Sequence, residues 1–357
     1  MYFHNYLHDF TQKLFMAVGC PENDAHVIAE VLVAAELRGI PSHGMIRIMD
    51  YIGLFEKGRI NTRPEVKIVH ETISTAVVDG DNSFGMIAGK RSMEIAIEKA
   101  EKCGSGWVSA RNSNHYGIAG YFAMMALEKN MTGISMTNAN PLVAPTWSTS
   151  RLLGTNPIAV AIPAGNQPPF VADFATTPIA RGKLNVKAKL GQKVEHGFVQ
   201  DKEGFASTDP DILKQGGAIL PLGGDYEHGS HKGYCLGSIV DIFSAVFSGA
   251  NFGPFVPPQV PYLPLLEKSA GKGLGHFFGA MRIDAFQPAD EFKKNMDEWI
   301  LTFRNAKSIE GQPQVLIPGD PERMLEEKYK NEGIYLIPVV VEELKKTAER
   351  YKIEFKD

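Results

Sequence analysis

The stretch "GWVSARNSNHYGIAGYFAMMALEKNMTGISMTNAN", residues 106–140, contains a strand, a polar loop, a helix and a second strand in succession. Gly106–Arg111 predicts the first strand, 118–129 the helix and 133–140 the second strand. The alternation continues on both sides, with strands predicted at 73–80, 157–163, 170–174 and 277–285, and helices at 84–102 and 177–190. Strands and helices alternating at this spacing predict an α/β fold.

Further helical patterns flank this unit. Ser42 is a natural N-cap for a helix over 42–57 that Gly58 would end. Residues 231–248 are apolar on nearly every side, which predicts a helix buried inside a domain. The other predicted helices cover 23–38, 290–306, a charged segment after the Gly-Asp-Pro turn, and 340–351.

The composition indicates an ordinary globular protein that acts on small molecules. The 357 residues carry a formal net charge of −4, which argues against a nucleic-acid or anionic-membrane surface. No apolar run approaches the roughly 18 residues that a membrane span needs. Three widely spaced cysteines suit a reducing compartment, so we expect a cytoplasmic protein with neither a membrane nor a nucleic-acid partner.

The predicted helix over 42–57 carries three chemically useful side chains. His43, Arg47 and Tyr51 recur every four residues and would lie opposite the apolar face. A solvated polar face is the simpler interpretation, but such faces favour Lys and Glu. An imidazole, a guanidinium and a phenol are groups that bind and protonate a small oxyanion.

Polar loops follow several predicted strands. Asn112, Asn114 and His115 lie beyond the first strand of residues 106–140, where ligands of α/β proteins collect, although the amides could simply cap the next helix. Asn138 lies in a similar loop, and "LGTNPIA" (153–159) and "DFATTPIARGK" (173–183) repeat the style. Together these loops predict a polar ligand across several strand ends.

His231 and Lys232 stand at the start of a predicted helix. A lysine at a helix N-terminus is electrostatically unfavourable unless it binds an anion such as phosphate, or points to solvent. The sequence contains no G-x-G-x-x-G, P-loop, H-E-x-x-H or G-x-S-x-G motif, so a dinucleotide would not use a Rossmann turn. His228 and His231 lack a third ligand nearby, and no metal site is predicted.

Five ordered motifs carry a family resemblance. These are "RGIPSHGMIR", "NSNHYGIAGY", "LGTNPIAVAIP", "DFATTPIARGK" and "GSHKGYCLGSIVDIFSAVFSGA". Together they resemble the malate/L-lactate dehydrogenase family of non-Rossmann NAD(P)-dependent oxidoreductases, which includes L-sulfolactate dehydrogenase, ureidoglycolate dehydrogenase and 2,3-diketogulonate reductase. The resemblance runs from Leu7 to Glu322 and departs at "GSHKGYC", where most members have a second glycine before the histidine and another after the tyrosine.

The resemblance implies an α/β fold with a mixed sheet of non-Rossmann topology and a homodimer. It implies an N-terminal helical region, 1–68, that carries a substrate-binding helix and is joined by the C-terminal helices of 286–357. Residues 69–285 would form the nucleotide-binding α/β domain. The cofactor would be NAD or NADP, and the sequence does not distinguish them.

The resemblance also transfers site residues. The family's serine-histidine pair and the arginine after it fall on Ser42, His43 and Arg47, and a second histidine falls on His115. The residue patterns described above add Tyr51, Asn112 and Asn138, so the substrate contacts would be Arg47, Tyr51, Asn112 and His115. The cofactor contacts would be Asn138, Asp173, Phe174, Ala175, Thr176, Thr177, His231, Lys232, Gly319, Asp320 and Glu322.

The implied chemistry is hydride exchange between a nicotinamide and C2 of a 2-hydroxy or 2-keto acid. His43 or His115 would exchange the proton at the C2 oxygen, and Arg47 would hold the carboxylate. Malate and oxaloacetate are the first expectation, with lactate, sulfolactate, ureidoglycolate or diketogulonate-type substrates as alternatives. A non-catalytic nucleotide-binding protein and a metal-dependent hydrolase are alternatives of other classes.

Overall fold

The computed structural model describes residues 1–356, which form a central seven-stranded mixed sheet and a small three-stranded sheet. The strands are β1 (Lys67–Glu71), β2 (Thr75–Asp79), β3 (Ser105–Ser113), β4 (Met131–Thr137), β5 (Ile158–Ile162), β6 (Phe170–Phe174), β7 (Val199–Gln200), β8 (Ala206–Ser207), β9 (Ala218–Ile219) and β10 (Leu274–Arg282). The central order is β1-β2-β3-β10-β4-β5-β6, and the small sheet has the order β8-β7-β9.

The strand pairing excludes a Rossmann sheet. Among the described strands, β2 and β3 alone run parallel, and the other neighbours in both sheets are antiparallel. A Rossmann sheet is mostly parallel throughout. The prediction of an α/β fold with a mixed, non-Rossmann sheet is therefore confirmed.

Ten α-helices occur within residues 1–356. They are α1 (His4–Ala17), α2 (Glu22–Leu37), α3 (Ile48–Glu56), α4 (Gly85–Cys103), α5 (Ala119–Met125), α6 (Arg181–Lys189), α7 (Ser230–Asp241), α8 (Ala289–Arg304), α9 (Asp320–Glu332) and α10 (Pro338–Arg350). The sequence patterns did not predict α1, whose Leu7, Phe10 and Leu14 are buried at helical spacing. They also missed β1, an edge strand with every residue exposed. No helix formed by residues 1–356 is long and apolar enough to cross a bilayer.

The prediction of one helix over 42–57 is wrong. Two 3₁₀ turns, Pro41–His43 and Met45–Arg47, precede α3 and are separated at Gly44. The carboxylate of Glu36, buried in α2, accepts the Met45 N–H at 2.7 Å. This tertiary contact takes up the Met45 N–H at the point where the helix is interrupted. The helical periodicity of the sequence does not reveal it.

The prediction of a fully buried helix over 231–248 is also wrong. α7 continues into a π-helical segment, Ile242–Val246, and the combined element keeps one side in contact with the sheet. Its other side is exposed and apolar: Ile239 is 43%, Ile242 44%, Val246 56% and Phe247 57% exposed. Some apolar residues of this element therefore pack against the sheet, and the others form an exposed apolar surface.

The buried residues form two clusters. The larger one joins α1 to α5, the central sheet and α10, so the N-terminal helices and the sheet share one core. The predicted division into 1–68 with 286–357 and 69–285 stays a prediction. The smaller cluster, around the three-stranded sheet, comprises Val143, Leu153, Ile179, Leu184, Val194, Val199, Ile212 and Ile219.

Candidate active site

A cavity of about 310 Å³ opens where β4 ends and β5 begins. One side of the cavity is formed by residues of the 3₁₀ turns together with His115. Polar groups come from residues 137–140, at and just after the end of β4, and from Thr155, which precedes β5. The remaining side, which we name the α6 rim, is formed by Ala180, Arg181, Gly182, Asn185, Gln259, Val260 and Tyr262. The cavity thus collects residues separated by more than a hundred positions in the chain.

His43 lies on the first 3₁₀ turn, half-buried in the cavity wall. Its Nδ1 is 3.0 Å from the Ser42 hydroxyl oxygen. Burial, and after it the positive charge of Arg47, lowers the pKa of His43 to about 4. The imidazole is therefore neutral at pH 7, with its Nδ1 edge committed to Ser42. Ser42 also lines the cavity but makes no N-cap bond, which corrects the predicted capping role.

His115 follows β3 and stacks on His43, with ring centroids 5.4 Å apart. The Gly117 backbone N–H donates to His115 Nδ1 at 3.3 Å, and the Tyr51 hydroxyl lies 2.7 Å from the same nitrogen. Because a backbone N–H can only donate, Nδ1 is an acceptor and the neutral ring carries its proton on Nε2. Burial first, then the charges of Arg47 and His43, lower the pKa of His115 well below its ordinary value.

Tyr51, a predicted substrate contact, lies behind the cavity wall. Its side chain is 1% exposed and does not line the cavity. The ring packs edge-on against Phe84, and the hydroxyl approaches His115 from the protein interior. Burial raises the pKa of Tyr51, so the phenol keeps its proton. Tyr51 is therefore placed to orient His115 from behind.

Arg47 lines the cavity as predicted, on the second 3₁₀ turn. Its Nε donates to the Ser42 carbonyl oxygen at 3.1 Å, and its Nη1 donates to Asp50 at 2.9 Å. No acceptor within residues 1–356 is bonded to Nη2. The guanidinium is thus held in place while part of it stays available to an anion.

The two predicted asparagine contacts are bonded to other groups of the protein. The Asn112 amide donates to Asp79 at 2.7 Å, and Asn112 does not line the cavity. The side chain of Asn138 is fully buried, and its amide donates to Asp241 and to a backbone carbonyl. Asn138 therefore borders the cavity, and its side chain holds neighbouring segments of the chain in place through these hydrogen bonds.

The predicted cofactor loop, Asp173–Thr177, lies outside the residues that line the cavity. Thr176 and Thr177 are buried, and both hydroxyls donate to backbone carbonyls. Phe174 is exposed and Ala175 half-buried. The loop hydroxyls therefore hold the loop itself, and contact between the loop and a cofactor stays a prediction.

Asp173 receives the Gly120 N–H at 2.7 Å, at the start of α5. Burial raises the pKa of Asp173 to about 6, against the Gly120 bond and the charge of Arg38, while nearby Glu322 raises it further. A carboxylate at a helix N-terminus satisfies otherwise unpaired backbone donors. Asp173 is thus engaged in a helix cap rather than directed at the cavity.

The turn at Gly319 also has a structural explanation. Gly319 adopts a φ of 97° at the start of α9. Asp320 is buried, accepts the Ile317 N–H at 2.9 Å and pairs with Arg304 and Arg323. Burial alone would raise its pKa, but these partners hold the pKa of Asp320 below its usual range. Its carboxylate is therefore bonded within the fold, and its contact with a cofactor stays a prediction.

His231 and Lys232 lie at the exposed start of α7, apart from the cavity lining. The His231 ring packs 5.2 Å from Tyr226, which in turn lies 5.0 Å from the exposed Trp147. No carboxylate of the described chain pairs with Lys232, so its charge at the positive end of a helix is uncompensated.

Sequence patterns missed several residues of the cavity. Arg181 and Asn185 lie on α6, Asp50 beside Arg47, and Tyr262 in the proline-rich segment. Arg181 is part of the "DFATTPIARGK" motif, and its place in that motif is the feature from which it could have been predicted. Asn156 was also missed: at a φ of 33° it accepts the Ala139 N–H and donates to the Gly237 carbonyl.

The side chains of residues 1–356 offer no metal centre. No group of three or more His, Cys, Asp or Glu side chains in residues 1–356 is arranged to hold a metal ion. His228 is bonded to Asp225, and His231 faces Tyr226. The pair considered for a metal-dependent hydrolase therefore has other partners.

Comparisons with known proteins agree with this fold. The family model described as malate/L-lactate dehydrogenase matches residues 3–345. A malate dehydrogenase of Pyrococcus abyssi is 40% identical, over 98% of this chain and 94% of its own. An L-sulfolactate dehydrogenase of Methanocaldococcus jannaschii is 40% identical, over 88% of this chain and 86% of its own. The crystal structure of malate dehydrogenase from Entamoeba histolytica matches with a TM-score of 0.92 and 35% identity, covering 99% of both chains.

Proposed function

This chain belongs to the malate/L-lactate dehydrogenase family, and we propose that it exchanges a hydride between C2 of malate or oxaloacetate and a nicotinamide cofactor. The observation that carries the proposal is the cavity itself, where two stacked imidazoles lie beside an arginine with a free edge. A non-catalytic nucleotide-binding protein would have no use for two titratable rings at one cavity. Lactate and sulfolactate remain the alternative substrates.

Arg47 binds the carboxylate next to C2. Its contacts to Ser42 and Asp50 fix the guanidinium, and a charge-assisted pair with the substrate would use the remaining edge. This pair would place the C2 oxygen near the two imidazoles. Arg47 therefore acts in binding and orientation, while the proton is handled by the histidines.

The tautomer of His115 separates the roles of the two histidines. With Nδ1 accepting from Gly117, the neutral ring has its proton on Nε2 and cannot accept another there. It can donate a hydrogen bond to the C2 oxygen. His43 has no such restriction, because the Ser42 hydroxyl beside its Nδ1 can either donate or accept. We therefore assign proton exchange to His43 and polarisation of the C2 oxygen to His115.

Substrate binding also adjusts the acidity of His43. The positive charge of Arg47 is one of the two causes that lower the pKa of His43. A carboxylate bound to Arg47 offsets that charge, so the pKa of His43 rises when the anion is present. The imidazole then titrates closer to neutral pH, which is where proton exchange is efficient.

The residues present fit a nicotinamide dinucleotide. Its phosphates require cationic or N–H donors, and Lys232 supplies an uncompensated charge at the start of the 12-residue α7. His231 and Glu322, together with the apolar Phe174 and Ala175, are the other predicted contacts whose side chains form no hydrogen bond or ion pair within residues 1–356. When bound, the cofactor would supply the carbon that donates or accepts the hydride. Activity assays with NADH and with NADPH distinguish NAD from NADP as the cofactor.

The exposed apolar side of α7 and its π-helical continuation supports a homodimer. Four large apolar residues lie on it, and monomeric proteins rarely expose contiguous patches of this kind. The three free cysteines, with Cys20 buried and Cys103 and Cys235 exposed, agree with a reducing compartment, and we expect the protein in the cytoplasm.

The test is a panel of oxaloacetate, pyruvate, sulfopyruvate and a keto-sugar acid, each with NADH and with NADPH. Consumption of the reduced nicotinamide is followed by its absorbance. We expect oxaloacetate to give the highest kcat/KM with one of the two cofactors. No consumption with any combination contradicts the proposed function.

A further inference from the structure

A second arginine lines the same cavity. Arg181 is the first residue of α6, is half-buried, and donates from Nη2 to the Tyr262 hydroxyl at 2.9 Å. Arg47 is paired with Asp50, whereas Arg181 forms no ion pair with any carboxylate of residues 1–356. The cavity therefore contains an arginine whose charge the described protein leaves unbalanced.

The surroundings of Arg181 make this charge unfavourable without a ligand. A cation at the first position of a helix meets the positive end of the helix dipole. Arg151 is close enough that burial, and after it the charge of Arg181, lowers the pKa of Arg151. The guanidinium of Arg151 donates to the backbone carbonyls of Leu213 and Gly217, so it brings no counter-charge.

The start of α6 lies beside the turn that carries the proton-exchanging histidine. A Cβ atom added at Gly182 would lie 3.7 Å from Cβ of Ser42. Arg47 and Arg181 are thus two anion-binding groups at one cavity, with His43 on the turn that contacts α6.

We propose that Arg181 binds the second anionic group of the substrate, so that the enzyme selects 2-hydroxy and 2-keto acids with a carboxylate or sulfonate on C3. The assignment rests on the proposed function, because it requires Arg47 to hold the first carboxylate. A substrate with one anionic group leaves Arg181 unpaired. Selection then comes from the α6 rim, while the chemistry stays with His43 and His115.

The test replaces Arg181 by glutamine and compares oxaloacetate and sulfopyruvate with pyruvate. A charge-assisted hydrogen bond contributes about 1.5–3 kcal/mol, which predicts a fall of roughly 10- to 150-fold in kcat/KM for the two-anion substrates, mainly through KM. The kcat/KM for pyruvate should stay the same. The ratio of kcat/KM for a two-anion substrate to kcat/KM for pyruvate should therefore fall. Arg181→Lys should restore part of the ratio.

Lys183→Gln is the matched control, because it removes one exposed positive charge from the same helix without changing the cavity lining. Its ratio should equal that of the parent. A fall in the ratio for either two-anion substrate supports the assignment. If Arg181→Gln and Arg181→Lys lower kcat/KM for pyruvate as much as kcat/KM for oxaloacetate, Arg181 does not recognise the second anion. The proposed function stands in that case. A parent enzyme inactive with every acid refutes the proposed function itself.

Discussion

Tyr51→Phe tests whether the buried hydroxyl orients His115. The substitution keeps the ring and its packing against Phe84 but removes the oxygen 2.7 Å from His115 Nδ1. The Gly117 N–H, at 3.3 Å, then remains as the contact that fixes the ring. We therefore expect His115 to keep its neutral tautomer while losing part of its fixed orientation toward the C2 oxygen.

The magnitude follows from one buried hydrogen bond. A neutral hydrogen bond contributes about 0.5–1.5 kcal/mol, which corresponds to roughly 2- to 13-fold in rate if it is fully expressed in the transition state. Tyr51 does not line the cavity, so the KM for the keto acid should be unchanged. The expected signature is a lower kcat at constant KM, accompanied by a similar loss in the free energy of unfolding.

The assay is steady-state reduction of oxaloacetate with a nicotinamide deuterated at the reacting carbon. A primary isotope effect establishes that hydride transfer limits kcat. Tyr116→Phe is the matched control: Tyr116 is fully buried, its hydroxyl lies 3.1 Å from Ser135, and it does not line the cavity. That variant should lose stability and keep its kcat.

Two results would refute this role of Tyr51. The first is a kcat for Tyr51→Phe that equals the parent value under conditions where the isotope effect is expressed. The second is an equal fall in kcat for Tyr51→Phe and Tyr116→Phe, since loss of any buried hydroxyl would then account for it. An increase in KM alone would place Tyr51 in substrate binding, as the sequence pattern predicted.

Three further predictions concern proton exchange, a buried acid and assembly. His43→Ala should lower kcat by about 10²- to 10⁴-fold, whereas His115→Gln, whose amide can still donate to the C2 oxygen, should lose less; equal losses in single-turnover rates would contradict the division of roles. Burial raises the pKa of Glu36 from 4.5 to about 7, against its Met45 bond, so the stability that Glu36 contributes is full below pH 4.5 and is lost as pH rises toward 7. The difference in unfolding free energy between Glu36→Gln and the parent should therefore change across that window, and a flat difference from pH 4 to 8 contradicts it. Phe247→Glu should shift sedimentation from dimer to monomer, and an unchanged dimer would place the interface elsewhere.

Local patterns predicted the scaffold well because strands and helices here follow their own periodicity. β2, α4, β3 and β5 lie within two residues of the predicted bounds. The strand-end position of His115 and the spacing of His43 and Arg47 also indicated the cavity, since α/β folds place ligands at such ends. The position of Arg181 at the same cavity as Arg47 required the three-dimensional structure.

The polar loop residues show why the sequence alone does not decide the remaining site assignments. Asn112, Asn138, Thr176 and Thr177 were predicted as ligand contacts because small amides and hydroxyls are common at binding loops. In the structure each of these side chains donates to a protein acceptor. Side-chain amides and hydroxyls can donate to a ligand or to backbone carbonyls of a loop. Only the positions of the acceptors in the structure distinguish these two roles.

The two buried clusters separate the chemistry of this cavity from its selectivity. Met45, Ile48 and Tyr51, which support the histidines and Arg47, belong to the larger core. Ile179 and Leu184, which flank Arg181, belong to the smaller cluster around the three-stranded sheet. Because the two parts of the cavity wall pack against different clusters, we expect changes on the α6 rim to alter binding of the second anion with little effect on proton exchange. Relatives named for malate and for sulfolactate, substrates that differ only in the group on C3, are what such an arrangement allows.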